Sequence, residues 1–377
     1  MLLEIYFSLA LNVAVPKEFS KIYLKTSESI LNVSRESFFA KKKKKKKIGK
    51  KACNDGIDND SDGLIDFPAD PDCTKRKDNS ENSVSENLPN LGVGASLNGR
   101  RPFPDNNPWN QDISNAEVDP NSNTLINSIG LSKNIHPDFG TFWDGAPIGI
   151  PYVVVSGTQE GKTLLFDYDD ESDHALYPVP ANPPIEGGDD SDGDRHILMV
   201  DRDNWVLYEL FYAFPQGNGW SAGSGAIFDL NSNELRPNGW TSADAAGLPI
   251  FPGLVRYDEV IENGEINHAL RFTAQQTRKA YVSPARHHAS SLTSAAYPPM
   301  GMRVRLKASF NISGFSPSVQ VILRALKKYG MFLADNGSDW FISGAHDPRW
   351  NDDDLSEIKS ITGSAFEVVK MGEITTN

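Results

Sequence analysis

The sequence predicts a mainly β protein: a sandwich-like β domain with a few covering helices, preceded by a small calcium-binding loop module. Three observations carry this reading. Gly and Pro number 30 and 24 in 377 residues and aromatics reach 10%, so turns and large flat side chains are both abundant, as a loop-rich β fold needs. From about residue 149 onward, short β-branched and aromatic runs alternate with turn-forming residues. Near residue 60, an acidic loop containing glycine is bracketed by the chain's two cysteines. A hydrophobic share of 39% and a mean hydropathy of -0.42 exclude a multi-span membrane protein and argue against wholesale disorder.

The chain opens with a segment of opposite charge to the rest. Residues 1–51 carry 13 Lys and Arg against 4 Asp and Glu, and with a total of -13 the remainder stands at -22. Residues 41–47 are seven consecutive lysines, a block that reads as a basic tail or as a processed or mis-called N-terminus, since such a run implies a slippery stretch of adenines. Residues 1–15 are apolar like a signal-peptide core, with Glu4 where a basic start is expected. No span long enough for a transmembrane helix follows. The acidic remainder disfavours nucleic-acid phosphate as a partner.

Residues 53–73 hold the sharpest chemical signal. Asp58, Asp60 and Asp62 alternate, Gly63 follows, and Asp66 comes three residues later. Calcium takes six to eight oxygens from a flexible loop, and alternate carboxylates on a tightly curved chain turn inward together. Leu64 offers a backbone carbonyl, and Asp66 binds directly or through water. Where an EF-hand would place its bidentate Glu stands Ala69, so Asp55, Asp70 and Asp72 are the substitutes. This segment resembles the thrombospondin type 3 calcium repeat in the short Cys-bounded form of secreted bacterial proteins. A bridge between Cys53 and Cys73 would close the loop and stabilise it by about 3 kcal/mol. It would also place the protein in an oxidising compartment, extracellular or at the cell surface.

Residues 74–101 are polar and read as a linker, and residues 102–370 form the main β-rich domain. Strands are expected at 149–155, 162–168, 196–200, 205–211, 225–230, 269–273, 280–282, 302–310, 331–334, 340–343 and 366–369. Turn-forming residues 201–204 make 196–211 a hairpin. Three helices are expected: one opened by Asp119-Pro120 and stopped by Gly130, one opened by Ser316-Pro317 and stopped by Gly330, and a short one over 351–361.

The chain has no Gly-rich phosphate loop and no His-Glu-x-x-His. Polar residues instead crowd the segments between strands. Glu209, Asp244 and His268 are the candidate catalytic groups, with Trp220, Trp240 and Arg271 as substrate contacts. Paired carboxylates beside a stacking aromatic suit glycosidic-bond cleavage, one acid protonating the leaving oxygen and the other supporting attack. Asp201 and Asp229 read more simply as turn residues, and adjacent His287 and His288 cannot both face one site from a strand. The expectation is a secreted calcium-binding protein whose main domain binds or cleaves polysaccharide or cell-surface glycan. The alternative is a non-catalytic adhesion or matrix protein stabilised by calcium. Residues 219–229, 239–249, 268–272 and 334–337 are similar to uncharacterised secreted bacterial proteins, which implies export and no particular reaction.

Overall fold

The computed structural model describes residues 51–57, 65–67, 69, 73, 75–77 and 88–376. The chain divides into two compact units, 1–81 and 82–377. In the first, Cys53 and Cys73 form a disulfide with their Cα atoms 5.7 Å apart, and a short 3-10 turn covers Ala52–Asn54.

In the second unit strand outweighs helix. The strands, in chain order, are β1 (Gly92–Val93), β2 (His136–Asp138), β3 (Phe142–Trp143), β4 (Ala146–Pro147), β5 (Tyr152–Val155) and β6 (Leu164–Phe166). Then come β7 (Ile197–Asp201), β8 (Val206–Phe211), β9 (Phe214–Gln216), β10 (Gly219–Ala222), β11 (Ser224–Asp229) and β12 (Leu270–Ala274). The last six are β13 (Tyr281–Val282), β14 (Arg303–Leu306), β15 (Met331–Asn336), β16 (Phe341–Ser343), β17 (Phe366–Val368) and β18 (Ile374–Thr375). They form several open sheets, the largest being five-stranded (β1-β5-β7-β8-β11) and six-stranded (β17-β14-β15-β12-β16-β2). Both are mixed: β5 with β7, β12 with β15 and β16 with β2 are parallel pairs.

The five-stranded sheet is covered on both faces. Leu198, Val200 and Leu207 belong to a large core that also contains Leu270, Phe272, Met331 and Ile342 of the six-stranded sheet. Ile197, Met199 and Leu210 point the other way, into a smaller core walled by Leu164, Phe166 and Trp220 of the three-stranded sheet β6-β10-β9. A strand buried on both faces reads as a continuous apolar run, which is how Ile197–Val200 presents itself in the sequence. The expected hairpin is β7–β8, with Asp201 pairing Val206. Its turn is fixed by the Asp201 carboxylate, which accepts the backbone N–H of Asp203 and of Asn204, both at 3.0 Å.

Helix α1 (Ser122–Ile129) buries Leu125, Ile126 and Ile129, but Asn121, without a side-chain capping bond, holds the N-cap position expected for Asp119, whose carboxylate instead accepts the Asn121 N–H at 2.8 Å. Helix α2 (Pro317–Lys328) starts at the expected proline and buries Val319, Ile322, Leu323 and Leu326. It stops before Gly330 at φ 66°, where a β-carbon would fall 2.2 Å from the Val304 carbonyl oxygen; only glycine fits. Helix α3 (Asp352–Ser356) is capped by the Asn351 side chain and runs on as a 3-10 turn, Glu357–Ser360.

The expected linker ends earlier than residue 101. Leu97 is buried in the large core, β1 pairs with β5, and Tyr152 donates its hydroxyl to the Ala95 carbonyl at 2.9 Å. Residues 88–101 thus belong to the second unit. No helix among the described residues is long and apolar enough to cross a membrane.

Candidate functional site: an acidic cavity

A cavity of about 380 Å³ opens where the C-terminal ends of β8 and β15, the start of β11 and the loop over 241–245 meet, and Glu171, Asp194, Asp244, Asp335 and His287 all lie along it. The loop is held from several sides. Ser242 donates its hydroxyl to the Leu248 carbonyl (2.6 Å) and accepts the Asp244 N–H (2.9 Å), while Glu171 accepts the Thr241 N–H at 2.8 Å. The Ala246 N–H reaches the Ala334 carbonyl at 3.0 Å. These bonds fix the loop, and with it Asp244, against its neighbours.

Asp244 is bound in two-pronged fashion by Arg271 on β12, with Nη2 2.9 Å from Oδ1 and Nε 3.3 Å from Oδ2. Arg271 also donates through Nη1 to the Ser343 hydroxyl at 2.5 Å on the neighbouring β16. The Asp244 carboxyl has no exposed surface. Burial pushes its pKa up, with Arg271 opposing that rise.

Asp335 reaches the cavity through a β-bulge. Phe272 pairs with Leu333 but Thr273 pairs with Asp335, so Ala334 is an extra residue in β15. Strict alternation would set Asp335 on the opposite face from Phe332, the partner of Arg271; the bulge brings it back to the Arg271 face. Burial, and then the negative charge of Asp244, raise the Asp335 carboxyl to about 8. The carboxyl at the cavity wall is thereby biased toward its protonated form.

A third charged group stands behind. His196 hydrogen-bonds Glu186 through Nδ1 at 2.6 Å and the Ala243 carbonyl through Nε2 at 3.0 Å. Burial opposes its charge, yet the adjacent Glu186 carboxylate outweighs burial and raises the imidazole to about 9. Glu186, Asp194 and His196 each bring one ligand atom within 4.8 Å of the others, so these are the described residues that could hold a metal ion.

The expected site residues are only partly brought together. Asp244 and Arg271 meet, and Asp244 lies on the cavity. Glu209 is fully buried on the large-core side of β8; its carboxylate accepts the Ile250 N–H (3.0 Å) and the Phe251 N–H (2.8 Å). Burial raises it to about 7 despite those bonds. It shapes the chain at 250–251 and does not reach the cavity. His268 belongs to another cluster altogether, its Nε2 3.0 Å from Glu259 and its Nδ1 2.8 Å from the Ala269 carbonyl. Trp220 packs on the smaller core, and Trp240 lies 5.6 Å beneath the Arg236 guanidinium. The aromatic residues along the cavity are Tyr168 and Phe211 instead, with Tyr168 55% exposed. Of the adjacent histidines, His287 alone lines the cavity.

Asp335 and Tyr168 were not among the sequence candidates. Asp335 is hidden by the bulge, which breaks the period-2 pattern. Tyr168, just after β6, carries no motif. A Gly-x-Ser-x-Gly pentapeptide occurs at residues 219–223, but Ser221 lies within strand β10, and the chain continues into another strand rather than turning into the helix that a nucleophile elbow requires.

In the first unit, the Asp66 carboxylate accepts the backbone N–H of Asp55 (2.9 Å) and of Gly56 (2.8 Å), with Asp66 itself at φ 55°. These bonds draw together the two ends of the expected calcium loop. Asp58, Asp60, Asp62 and Leu64 lie outside the described residues. Comparison with protein-family models, curated proteins and solved structures finds no match for the chain.

Proposed function

We propose that the main domain cleaves an extracellular glycan in the acidic cavity. The observation that carries this is the convergence of Glu171, Asp194, Asp244 and Asp335 on one cavity, with the Asp335 carboxyl shifted upward by burial and by Asp244 and an exposed tyrosine at hand for a sugar ring. Asp335 donates its proton to the departing glycosidic oxygen. Asp194, exposed at the same cavity, takes the proton of the water that attacks the sugar carbon, so the bond to water forms as the glycosidic bond breaks. Asp244 is a positioning residue: fixed by Arg271 and out of reach of substrate, it keeps the Asp335 proton in place through its charge. Tyr168 stacks on a sugar face. Walls this acidic repel acidic polymers, so the substrate is uncharged or amine-bearing.

Around this centre we place a sandwich-like arrangement of the two large sheets, supported by their shared core. We place the protein outside the cell, supported by the Cys53–Cys73 disulfide. Calcium is proposed for the 53–73 loop, with Asp55, Asp58, Asp60, Asp62, Asp66 and the Leu64 carbonyl as ligands; the closure of the loop by Asp66 supports it.

An assay for new reducing ends on a panel of neutral polysaccharides and chitosan tests the reaction. Turnover that disappears in Asp335→Asn while the melting curve is kept supports it; no turnover and no binding on the whole panel refutes it. Calorimetric titration with calcium, on wild type and on Asp60→Ala with Asp62→Ala, tests the loop. Heat in the first and none in the second is expected.

A further inference from the structure

A larger cavity, about 460 Å³, runs along β2, the edge strand of the six-stranded sheet, and its size suits a small-molecule site. One wall is the β3–β4 hairpin. Its two-residue turn, Asp144-Gly145, has φ of 50° and 85°, both positive as the tightest hairpins require. The hairpin is anchored at its base, where Thr141 donates its N–H (3.0 Å) and its hydroxyl to the Asp352 carboxylate. At its end the hairpin presents Phe142 and Trp143, 53% and 76% exposed. Opposite them are His136, Asp138, Ser356 and Lys359. The Phe142 ring packs against His346 at 5.1 Å, so Trp143 is the freer aromatic face; beside a rim of mixed polar groups it matches a sugar ring, which has an apolar face and a hydroxylated edge.

Both cavities take lining residues from the six-stranded sheet: His136, Pro137 and Asp138 of β2 at one, and Asp335 and Asn336 of β15 at the other. Between them, Ser343 on β16, in register with Asp138, accepts from Arg271 on β12, which holds Asp244 beside the acidic cavity. We propose that the β2-edge cavity is a second glycan subsite, with Trp143 as its stacking platform, and that the substrate is a neutral polysaccharide long enough to occupy both cavities. This rests on reading the acidic cavity as the cleavage site. Rim charges of both signs, Asp138 against Lys359, favour uncharged sugar units over ionic ones.

The test uses the full chain carrying Asp335→Asn, with and without Trp143→Ala or Phe142→Ala. Calorimetry follows the binding of cellohexaose, xylohexaose, mannohexaose and chitohexaose and of the matching disaccharides. The expected result is a loss of hexasaccharide affinity of about tenfold or more on truncating Trp143, a smaller loss for Phe142, and unchanged disaccharide binding. Unchanged hexasaccharide affinity in both variants, or no binding of any hexasaccharide, overturns the subsite. So does a switch from dimer to monomer on sedimentation of Trp143→Ala with glycan binding intact, since the patch would then be covered by a second copy. Binding that depends on Trp143, in a protein whose wild type releases no reducing ends, supports the subsite and refutes the cleavage reading alone.

Discussion

Two buried ionic clusters, built from the same residue types, differ in how their charges balance. Around Arg256, the Glu259 carboxylate lies 2.7 Å from the guanidinium and 3.0 Å from His268, and Asp258 lies 3.4 Å from Arg256. Two acids face two bases, and the positive neighbours outweigh burial to hold the Glu259 carboxyl below its ordinary range. Around Arg271, Asp244 is bonded to the guanidinium, and Asp335, Glu171 and Asp194 lie with Asp244 on the same cavity. There the acids are in surplus, and burial drives Asp335 up to about 8. A balanced cluster locks its elements together. One with surplus acid, opened to solvent, keeps a proton available for chemistry. Density of charged residues alone does not separate the two, which is why His268 and Asp244 look alike on the page of a sequence.

The largest test of this contrast is kinetic. On the proposed cleavage reading, Asp335→Asn should lower glycan turnover by about 10²–10⁴-fold, whereas His268→Gln should leave the pH-rate profile in place even where it lowers the melting temperature. Equal losses of turnover in the two would erase the distinction. Next comes stability. Arg271→Met leaves the buried Asp244 without its partner and should cost about 3–5 kcal/mol near pH 7, read from urea midpoints, with part of the loss recovered in acid as Asp244 protonates. A loss that does not diminish at low pH would show that packing, not charge, was removed.

A third test concerns the first unit, where reduction of the Cys53–Cys73 bridge should cost that unit about 3 kcal/mol and leave glycan turnover unchanged. Amide exchange and the reducing-end assay on the same sample check both halves. The smallest effect is the sign of the pH dependence. The folded-state pKa of Asp335 is raised above its unfolded value of roughly 3.9, so the stability it contributes is complete below that value and is lost as pH rises toward 8. Glu259 is depressed, so its contribution is present above roughly 4.3 and is lost as pH falls. In urea titrations, Asp335→Asn should flatten the decline between about pH 4 and pH 8, and Glu259→Gln the loss at the acid end. The reverse pattern would invert the assignment of the two clusters.

Much of the fold was legible because local rules and tertiary demands agree. The apolar run at 197–200, the Asx turn at Asp201 and the Pro317 start of α2 each announce themselves within a few residues. The short edge pieces β1, β2 and β9 were not legible: two or three residues carry no periodicity, and only pairing with a neighbour makes them strands. At the site, Asp244 and Arg271 were found as polar residues beside strands. Their partnership joins positions 27 apart, and no local pattern encodes it. Glu209 was misleading for a physical reason. A carboxylate in an otherwise apolar strand looks functional, but here it serves the backbone N–H groups of Ile250 and Phe251.

The bulge at Ala334 has a consequence for how this protein can vary. It turns Asp335 toward Arg271, and its carbonyl receives the N–H of Ala246 in the loop that carries Asp244. Both acids are thus registered to one surplus residue in β15. Adding or removing a single codon nearby would preserve every functional side chain and still separate the two carboxyls, while many substitutions on the outer surface would go unnoticed. Length, more than residue identity, is what heredity has to guard in this strand. A library of single-residue insertions and deletions across 332–337, scored for turnover and for folding, would reveal variants that are well folded and inert.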